Sequence, residues 1–527
     1  MYFLVAILKV NDMKYFIGID VGTSGTKSVL ISENGKLLAS SSYEYSLYQP
    51  YNGWAEQEPE DWWKATVQSL HDIVCNSGVT SNDILGIGLS GQMHGLVMLD
   101  AEKKVLDRSI IWCDQRTSDQ KEEIDASISG SKMLQISGNA TNTSFTAAKI
   151  LWVRKNKPEI WSKCRYVMLP KDFIRFKLTG EIYTDASDAS GTQLLNVKER
   201  TWSKEIAGAL GLDMSLLPTI LESCEKAGGI SPEVAELTGL CAGTTVAAGA
   251  ADNAAAAVGT YTIKEGEAFV TIGTSGAVFA HSSEYKLDPN GRIHTLCSAI
   301  PNEYALMGVT QSAGLSLKWF RDTFCDEIIR TSKETGISAY YLIDKMAAKS
   351  PIGANRLLFL PYLMGERTPH FDADCRGTFV GLSAIHGKDD VARSVIEGVS
   401  YSLCNCIDLL RTLHVVPERI YACGGGSASA FWREMLADVF NCAVCTLKCT
   451  EGAALGAAIL GSVACGYYSS VEEACKAMIS TEGTTVEPSM EKHLMYEKYY
   501  EVYNTLYVAL KNSYALLQSI RILQSNI

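Results

Sequence analysis

One five-residue turn occurs twice in this chain, as Val-Gly-Thr-Ser-Gly at 21–25 and as Ile-Gly-Thr-Ser-Gly at 272–276. Glycines let a backbone approach a phosphate closely, and turn N–H groups with Thr and Ser hydroxyls supply donors to its oxygens. Thr23 and Ser24 carry those donors in the first copy, Gly273 and Thr274 in the second. Asp20 precedes the first turn, where a strand-end carboxylate can hold Mg²⁺ through water. Gly and Ser also favour plain hairpin turns. The repetition is what tips the reading to phosphate binding.

A second constellation is Asp252-Asn253, a lone polar pair within the small-residue run 248–259. An Asp at the start of a helix serves many proteins as an N-cap. The chemical alternative is a general base that takes the proton of a hydroxyl as it attacks a γ-phosphoryl group. The turn Gln92-Met93-His94-Gly95 offers an imidazole for a sugar oxygen and a thioether for its carbon face. Gly424-Gly425-Gly426-Ser427 follows a strand pattern and opens a helix pattern. Such a loop presents helix N-terminal amides to a flat ligand or simply makes a tight turn. Two other patterns are decoys. Residues 24–28 lack the glycine spacing of a P-loop. Gly86-Ile-Gly88-Leu-Ser-Gly91 has dinucleotide spacing, but a strand pattern rather than a helix follows it.

The elements that must position these residues alternate in type. Each five-residue turn lies between two short apolar runs, which predicts a β-hairpin. Strands are expected over Asp83–Leu89, Gly95–Leu99 and Arg419–Cys423, and helices over Pro59–Val74, Ala147–Lys155 and Ala430–Phe440. The pattern is α/β, in two related domains that open alike, divided near 258–266.

Bulk properties agree. A chain of 527 residues exceeds one comfortable core. A net charge of −12 argues against a nucleic-acid partner. The 16 cysteines are dispersed, and the clusters Cys404/Cys406 and Cys442/Cys445/Cys449 lack zinc-ligand spacing, so buried reduced thiols are expected. The apolar start, Met1–Val10, lacks a basic leader and a cleavage site and is too short to span a bilayer. Met13 is the expected functional start, with no membrane segment and a cytoplasmic location.

Further motifs complete a family pattern: Gly53-Trp-Ala-Glu-Gln57, Phe145-Thr-Ala-Ala-Lys149-Ile-Leu-Trp152, Leu169-Pro-Lys-Asp172, the run 360–370 containing Gly365-Glu366-Arg367-Thr368-Pro369-His370, and Gly377-Thr-Phe-Val-Gly381 continuing to Glu397-Gly398. From Met13 to about Tyr500 the chain resembles the FGGY carbohydrate kinases, and among them the bacterial xylulokinases. The resemblance implies two actin/hexokinase-like (ribonuclease H-like) domains flanking a catalytic cleft. Residues 1–12 would be an extension, 13–258 the sugar- and phosphate-binding domain, 259–505 the nucleotide-binding domain, and 506–527 a helical tail. It implies Asp252 as catalytic base and Asp20 beside Mg²⁺ and the phosphates. Met93 and His94 would be a substrate pair pointing to D-xylulose, with Asn253 a second sugar contact. Gly273, Thr274, Gly425, Gly426 and Ser427 match nucleotide-binding positions. The implied reaction moves the γ-phosphoryl group of ATP, with Mg²⁺, to O5 of D-xylulose in xylose catabolism. A homodimer is implied by resemblance alone. Two alternatives stay open: a kinase for ribulose, gluconate, glycerol or another ketose or polyol, and a non-catalytic nucleotide switch of the actin/chaperone type on the same fold. A sugar-facing base at Asp252 separates kinase from switch.

Overall fold

The computed structural model describes residues 13–448, 451–480 and 482–525. The expected extension 1–12 and Cys449 lie outside the described residues.

Both five-residue turns are hairpin turns. Tyr15–Val21 (β1) and Gly25–Ser32 (β2) pair antiparallel, with Asp20 opposite Lys27. Apolar residues on both faces of β1 suit a strand covered on both sides. Leu37–Glu44 (β3) reads Leu-Leu-Ala-Ser-Ser-Ser-Tyr-Glu and forms the more exposed edge. On the other side β1 runs parallel to Ile84–Gly91 (β4). With Lys226–Gly229 (β5), Thr245–Ala247 (β6) and Ala250–Ala251 (β7), these form a seven-stranded sheet ordered β5-β6-β4-β1-β2-β3, with β7 on β4.

The second sheet repeats the plan. Glu267–Ile272 (β8) and Gly276–Ser282 (β9) make the hairpin, flanked by His294–Cys297 (β10) and Tyr304–Thr310 (β11). Arg419–Cys423 (β12) and Ala443–Cys445 (β13) add parallel strands, and Thr485–Val486 (β14) closes the edge. The order is β10-β11-β9-β8-β12-β13-β14. Three antiparallel strands followed by two parallel ones thus recur in each half. This is the expected pair of actin/hexokinase-like domains.

The helices follow their periodicity. Pro59–Asn76 (α1) opens with Pro59 at its first turn and buries Trp62, Ala65, Thr66, Ser69, Leu70 and Ile73 at three- and four-residue spacing. Thr146–Asn156 (α2), Pro170–Thr179 (α3) and the single turn Ala186–Ala189 (α4) complete the first half around the site. The strand expected at Gly95–Leu99 begins at Val97 and pairs with Tyr166–Met168. The delay has a cause: His94 is left-handed (φ 67°), and Gly95 packs so closely on Pro170 that a Cβ would meet its Cγ at 2.5 Å.

Two helices lie between the sheets. Asp252–Gly259 (α5) follows β7, and Gly452–Ala464 (α9) comes from the far end of the sequence. Their small residues allow backbone-to-backbone approach. A Cβ on Gly18 would fall 1.8 Å from the Ala454 carbonyl oxygen, and one on Gly88 1.8 Å from that of Ala457. The dinucleotide-like glycines of β4 therefore receive a helix, not a pyrophosphate. Phe16, Val29, Phe269 and Phe279 join α5 and α9 in one apolar core that spans both sheets. Gly314–Phe324 (α6), Lys388–Thr412 (α7), Ala430–Phe440 (α8) and Met490–Ser525 (α10) cover the second domain. The helical tail is the continuation of α10, whose Tyr503, Tyr507 and Tyr514 are buried in the second core. Cys404, Cys406, Cys442 and Cys445 are buried free thiols. Among the described residues, no helix is long and apolar enough to cross a membrane.

Candidate active site

Strand register gathers the candidate residues. Val21, Gly91 and Ala251 end three neighbouring parallel or hairpin strands in one row: Val21 pairs with Gly91, and Gly91 with Ala251. Each strand runs directly into a candidate segment: Gly22-Thr23-Ser24, Gln92-Met93-His94 and Asp252-Asn253. In the second sheet β8 and β12 end side by side, Thr271 pairing with Cys423, and run into Gly273-Thr274 and Gly424–Ser427. Ligands of open parallel sheets bind beyond such carboxyl ends.

The two hairpin turns have the same donor pattern. Gly22 N donates to Gly25 O (3.1 Å) and Gly273 N to Ser275 O (3.0 Å). The next two amides of each turn, those of Thr23 and Ser24 and of Thr274 and Ser275, have no protein acceptor among the described residues. The carbonyls of the second turn are taken by the start of α6, since Gly314 N donates to Gly273 O at 2.8 Å and Ala313 N to Thr274 O at 3.0 Å. Thr23 differs from its expected free state. Its hydroxyl accepts from Trp112 Nε1 (2.8 Å) and donates to Gln92 Oε1 (3.3 Å), and Gln57 Nε2 donates to its carbonyl (2.7 Å). In the third loop Gly424 is left-handed (φ 78°), and a Cβ there would lie 2.8 Å from Ile272 O. Gly425 is open, and Ser427 Oγ closes the loop on Gly424 O at 2.7 Å.

The carboxylates sit deep in the wall with an accessible edge. Asp20 Oδ1 accepts from Ser90 Oγ at 2.9 Å, and burial raises its pKa against that bond and the Lys27 charge. Its second oxygen has no protein partner among the described residues, so the donor chemistry fits a hydrated divalent cation. Asp252 begins α5 without capping it. Asn253 donates to its Oδ1 through its backbone N (2.6 Å) and its Nδ2 (2.9 Å). Burial first, then the charge of Asp20, pushes Asp252 up to about 7. A base poised there exchanges protons at neutral pH. Across the row, His94 Nδ1 bonds Gly191 O (2.6 Å), its ring lies 4.4 Å from that of Phe145, and burial holds it well below the ordinary histidine range. Neutral imidazole is thus the form present, suited to hydrogen-bonding a sugar oxygen.

Sequence reasoning missed the supports. Lys149 Nζ donates to the His94 and Ser144 carbonyls (2.7 and 2.6 Å), fixing the strained turn. Lys171, fully buried, sits 2.6 Å from Asp172, 2.8 Å from Asp185 and 3.7 Å from Asp188. These three carboxylates could frame a metal, but the ammonium already stands among them. The cluster braces the segment leading to Asp252: Arg175 Nη1 donates to Ala248 O (2.6 Å), and Ala251 N to Ser187 Oγ (3.1 Å). Lys149, Lys171 and Asp172 stand in motifs quoted for the resemblance, which was the available signal. Trp112 had none. A cavity of about 450 Å³ lies elsewhere, against Lys264, His281, Glu303, Val463 and Glu472, and no candidate residue borders it.

A duplicated sheet, glycine turns at adjacent strand ends and a carboxylate held near neutrality define a two-domain phosphotransferase of the actin/hexokinase-like class. The comparisons make the class specific. The family described as FGGY carbohydrate kinases matches through its N-terminal domain over residues 15–259 and its C-terminal domain over 268–465. A xylulose kinase of Bacillus subtilis (strain 168) is 38% identical over 509 residues, covering 97% of this chain and all of that one. A gluconokinase of Bacillus licheniformis is 33% identical, over 95% and 97% of the two chains. A crystal structure titled as a xyloylose kinase from Brucella ovis superposes with TM-score 0.86 at 35% identity, over 94% and 99%. The chain belongs to the FGGY family of carbohydrate kinases. It is a sugar kinase, an enzyme that transfers a phosphoryl group to an alcohol, and ATP is the co-substrate its family implies.

Proposed function

We propose that this kinase phosphorylates D-xylulose at O5, giving D-xylulose 5-phosphate, with MgATP as donor. The observation that carries the reading is the single row of strand ends that sets Met93-His94 beside Asp252-Asn253. That row lets one small sugar touch the imidazole at one end and the base at the other. Relatives named xylulose kinase at 35–38% identity support the choice of sugar over gluconate.

In this mechanism Asp252 accepts the O5 proton as the oxygen attacks in line, and Asn253 holds the carboxylate by two hydrogen bonds. Asp20 would hold Mg²⁺ through water, and the ion would supply positive charge to the phosphate oxygens. The free amides of the Thr23-Ser24 and Thr274-Ser275 turns meet phosphate oxygens, and the open loop at Gly425-Gly426-Ser427 takes the rest of the nucleotide. The buried free thiols support a reducing, cytoplasmic setting. A homodimer belongs to the same proposal, supported by Leu494, Val502, Val508 and Leu516, which are exposed on one face of α10. Sedimentation velocity tests that point.

The function is tested by ADP release with MgATP across D-xylulose, D-ribulose, gluconate, glycerol and xylitol. A response led by D-xylulose is expected. A response led by gluconate or glycerol would keep the kinase and discard the sugar. ATP binding with no sugar phosphate on any of them would favour the nucleotide switch.

A further inference from the structure

The second domain sends one charged side chain into the wall that carries His94. It starts from a rigid base. Glu366 is buried, and its carboxylate accepts from Thr310 Oγ1 (2.6 Å), Gln311 N (2.8 Å), Ser402 Oγ (3.1 Å) and Arg367 N (2.7 Å). With Glu366 fixed to β11 and α7, the next side chain has a defined direction. Arg367 reaches the first domain, where its Nη2 lies 3.4 Å from Ser144 Oγ and its Cζ 6.0 Å from the Trp112 ring centroid. Ser144 adjoins the His94 turn, and Trp112 adjoins the Thr23 turn. The Ser144 carbonyl shares Lys149 with the His94 carbonyl, and the Trp112 indole is bonded to Thr23.

The guanidinium is under-used. Arginine offers five N–H donors and stays charged. One long hydrogen bond to Ser144 is all that this guanidinium makes among the described residues. The remaining donors are not sealed from solvent, so they are open to a ligand that enters the site. An oxygen-rich ligand would supply the acceptor. Position along that ligand follows from neighbours. The Ser144 that Arg367 meets shares Lys149 with the turn of His94, so Arg367 stands on the His94 side of the site. In the reading above, that is the end of the sugar remote from the hydroxyl that Asp252 deprotonates.

The loop bearing Arg367 is gripped from behind by α10. The Tyr507 ring stacks on His370 with centroids 3.6 Å apart, and its hydroxyl donates to Asp372 Oδ2 at 2.8 Å. Tyr362 bridges His370 Nε2 and the Tyr503 hydroxyl, at 3.2 Å each. The far end of the chain, beyond the matched family domains, thus has a task at the sugar site.

We propose that Arg367 is a substrate-contacting residue, donating across the cleft to the carbonyl oxygen at the ketose end of the sugar, and that Tyr507 is a positioning residue for it. The proposal rests on the ketose-kinase reading above, and its test separates the two. Steady-state kinetics of the full-length enzyme are measured with D-xylulose and with xylitol, the polyol lacking the carbonyl. Arg367→Met is expected to raise KM for D-xylulose roughly 10- to 100-fold, the range for a hydrogen bond to a charged donor, while KM for MgATP stays within about twofold. Its preference for ketose over polyol shrinks by the same factor. Tyr507→Ala raises the sugar KM in the same direction, Tyr507→Phe restores most of it through the ring stack, and Tyr507→Ala adds nothing in the Arg367→Met background. Should Arg367→Met fail to fold, Arg367→Gln is read in the same way. If the parent enzyme phosphorylates D-xylulose and the Arg367 variants keep its KM and its preference, the inference falls and the function stands. If the parent phosphorylates no ketose, the functional reading falls first and takes this one with it.

Discussion

Asp252 is held as an acid at a value where it can serve as a base. Burial and the neighbouring Asp20 raise its pKa to about 7, so the rate should fall as pH drops through that value and the carboxylate gains its proton. A pH profile of kcat/KM for the sugar checks this, and Asp252→Asn should have no measurable turnover at any pH. The same shift has a stability consequence of defined sign. The folded value lies above the unfolded one, near 3.8, so the ionised carboxylate costs the folded state most above pH 7 and nothing below pH 4. Asp252→Asn should therefore melt several degrees higher than the parent at about pH 8 and no higher at about pH 4. Lys171 makes the opposite case. Removing a fully buried ammonium that stands among Asp172, Asp185 and Asp188 leaves carboxylates unpaired, and Lys171→Met should cost about 3–5 kcal/mol in denaturant unfolding. At this scale the sequence was readable where a residue stood out from its neighbours. Asp252 does so among alanines, and Asp20 does so before a glycine turn. Trp112 did not, because its role arises only from contact with Thr23; Arg367 stands in a family motif, but its contact with Ser144 is likewise not disclosed by sequence proximity.

Elements carry the site through register rather than through any special loop. Three strands of the first sheet end level, as do two of the second, so each sheet projects its candidate segments from one row. Period-two patterning and glycine turns made both hairpins legible, and the helices at Pro59 and Ala430 were found within a few residues of their ends. The position of α9 was not legible. Its Gly-Ala-rich sequence specifies a helix with a thin face, but the strands it covers lie at the other end of the chain. That thin face is testable. A methyl on Gly88 would meet the Ala457 carbonyl oxygen at 1.8 Å, backbone against backbone, with no side chain able to yield. Gly88→Ala should lower the melting temperature by roughly 4–10 °C, from about 1–3 kcal/mol of overpacking, as differential scanning fluorimetry would read.

The whole molecule is one plan used twice and joined by a shared core. Sugar contacts are proposed on the first sheet and nucleotide contacts on the second, so turnover requires the halves to meet around both substrates. Small-angle scattering should record a smaller radius of gyration with D-xylulose and a non-hydrolysable ATP analogue together than with the nucleotide alone; no change would mean that the cleft is already closed. The shared core also sets an order of events during synthesis. Tyr468 donates to the Glu33 carbonyl from 435 residues away, and α9 seals a face of the sheet that begins at Tyr15. At roughly 5–20 residues per second, a ribosome takes some tens of seconds to produce the cover for strands it has already released. For that interval the emerging first half presents an unsealed apolar surface, so the cell must shelter it. A fragment ending near residue 259 should accumulate as aggregate, and it should be recovered in soluble form when the remaining segment is expressed beside it.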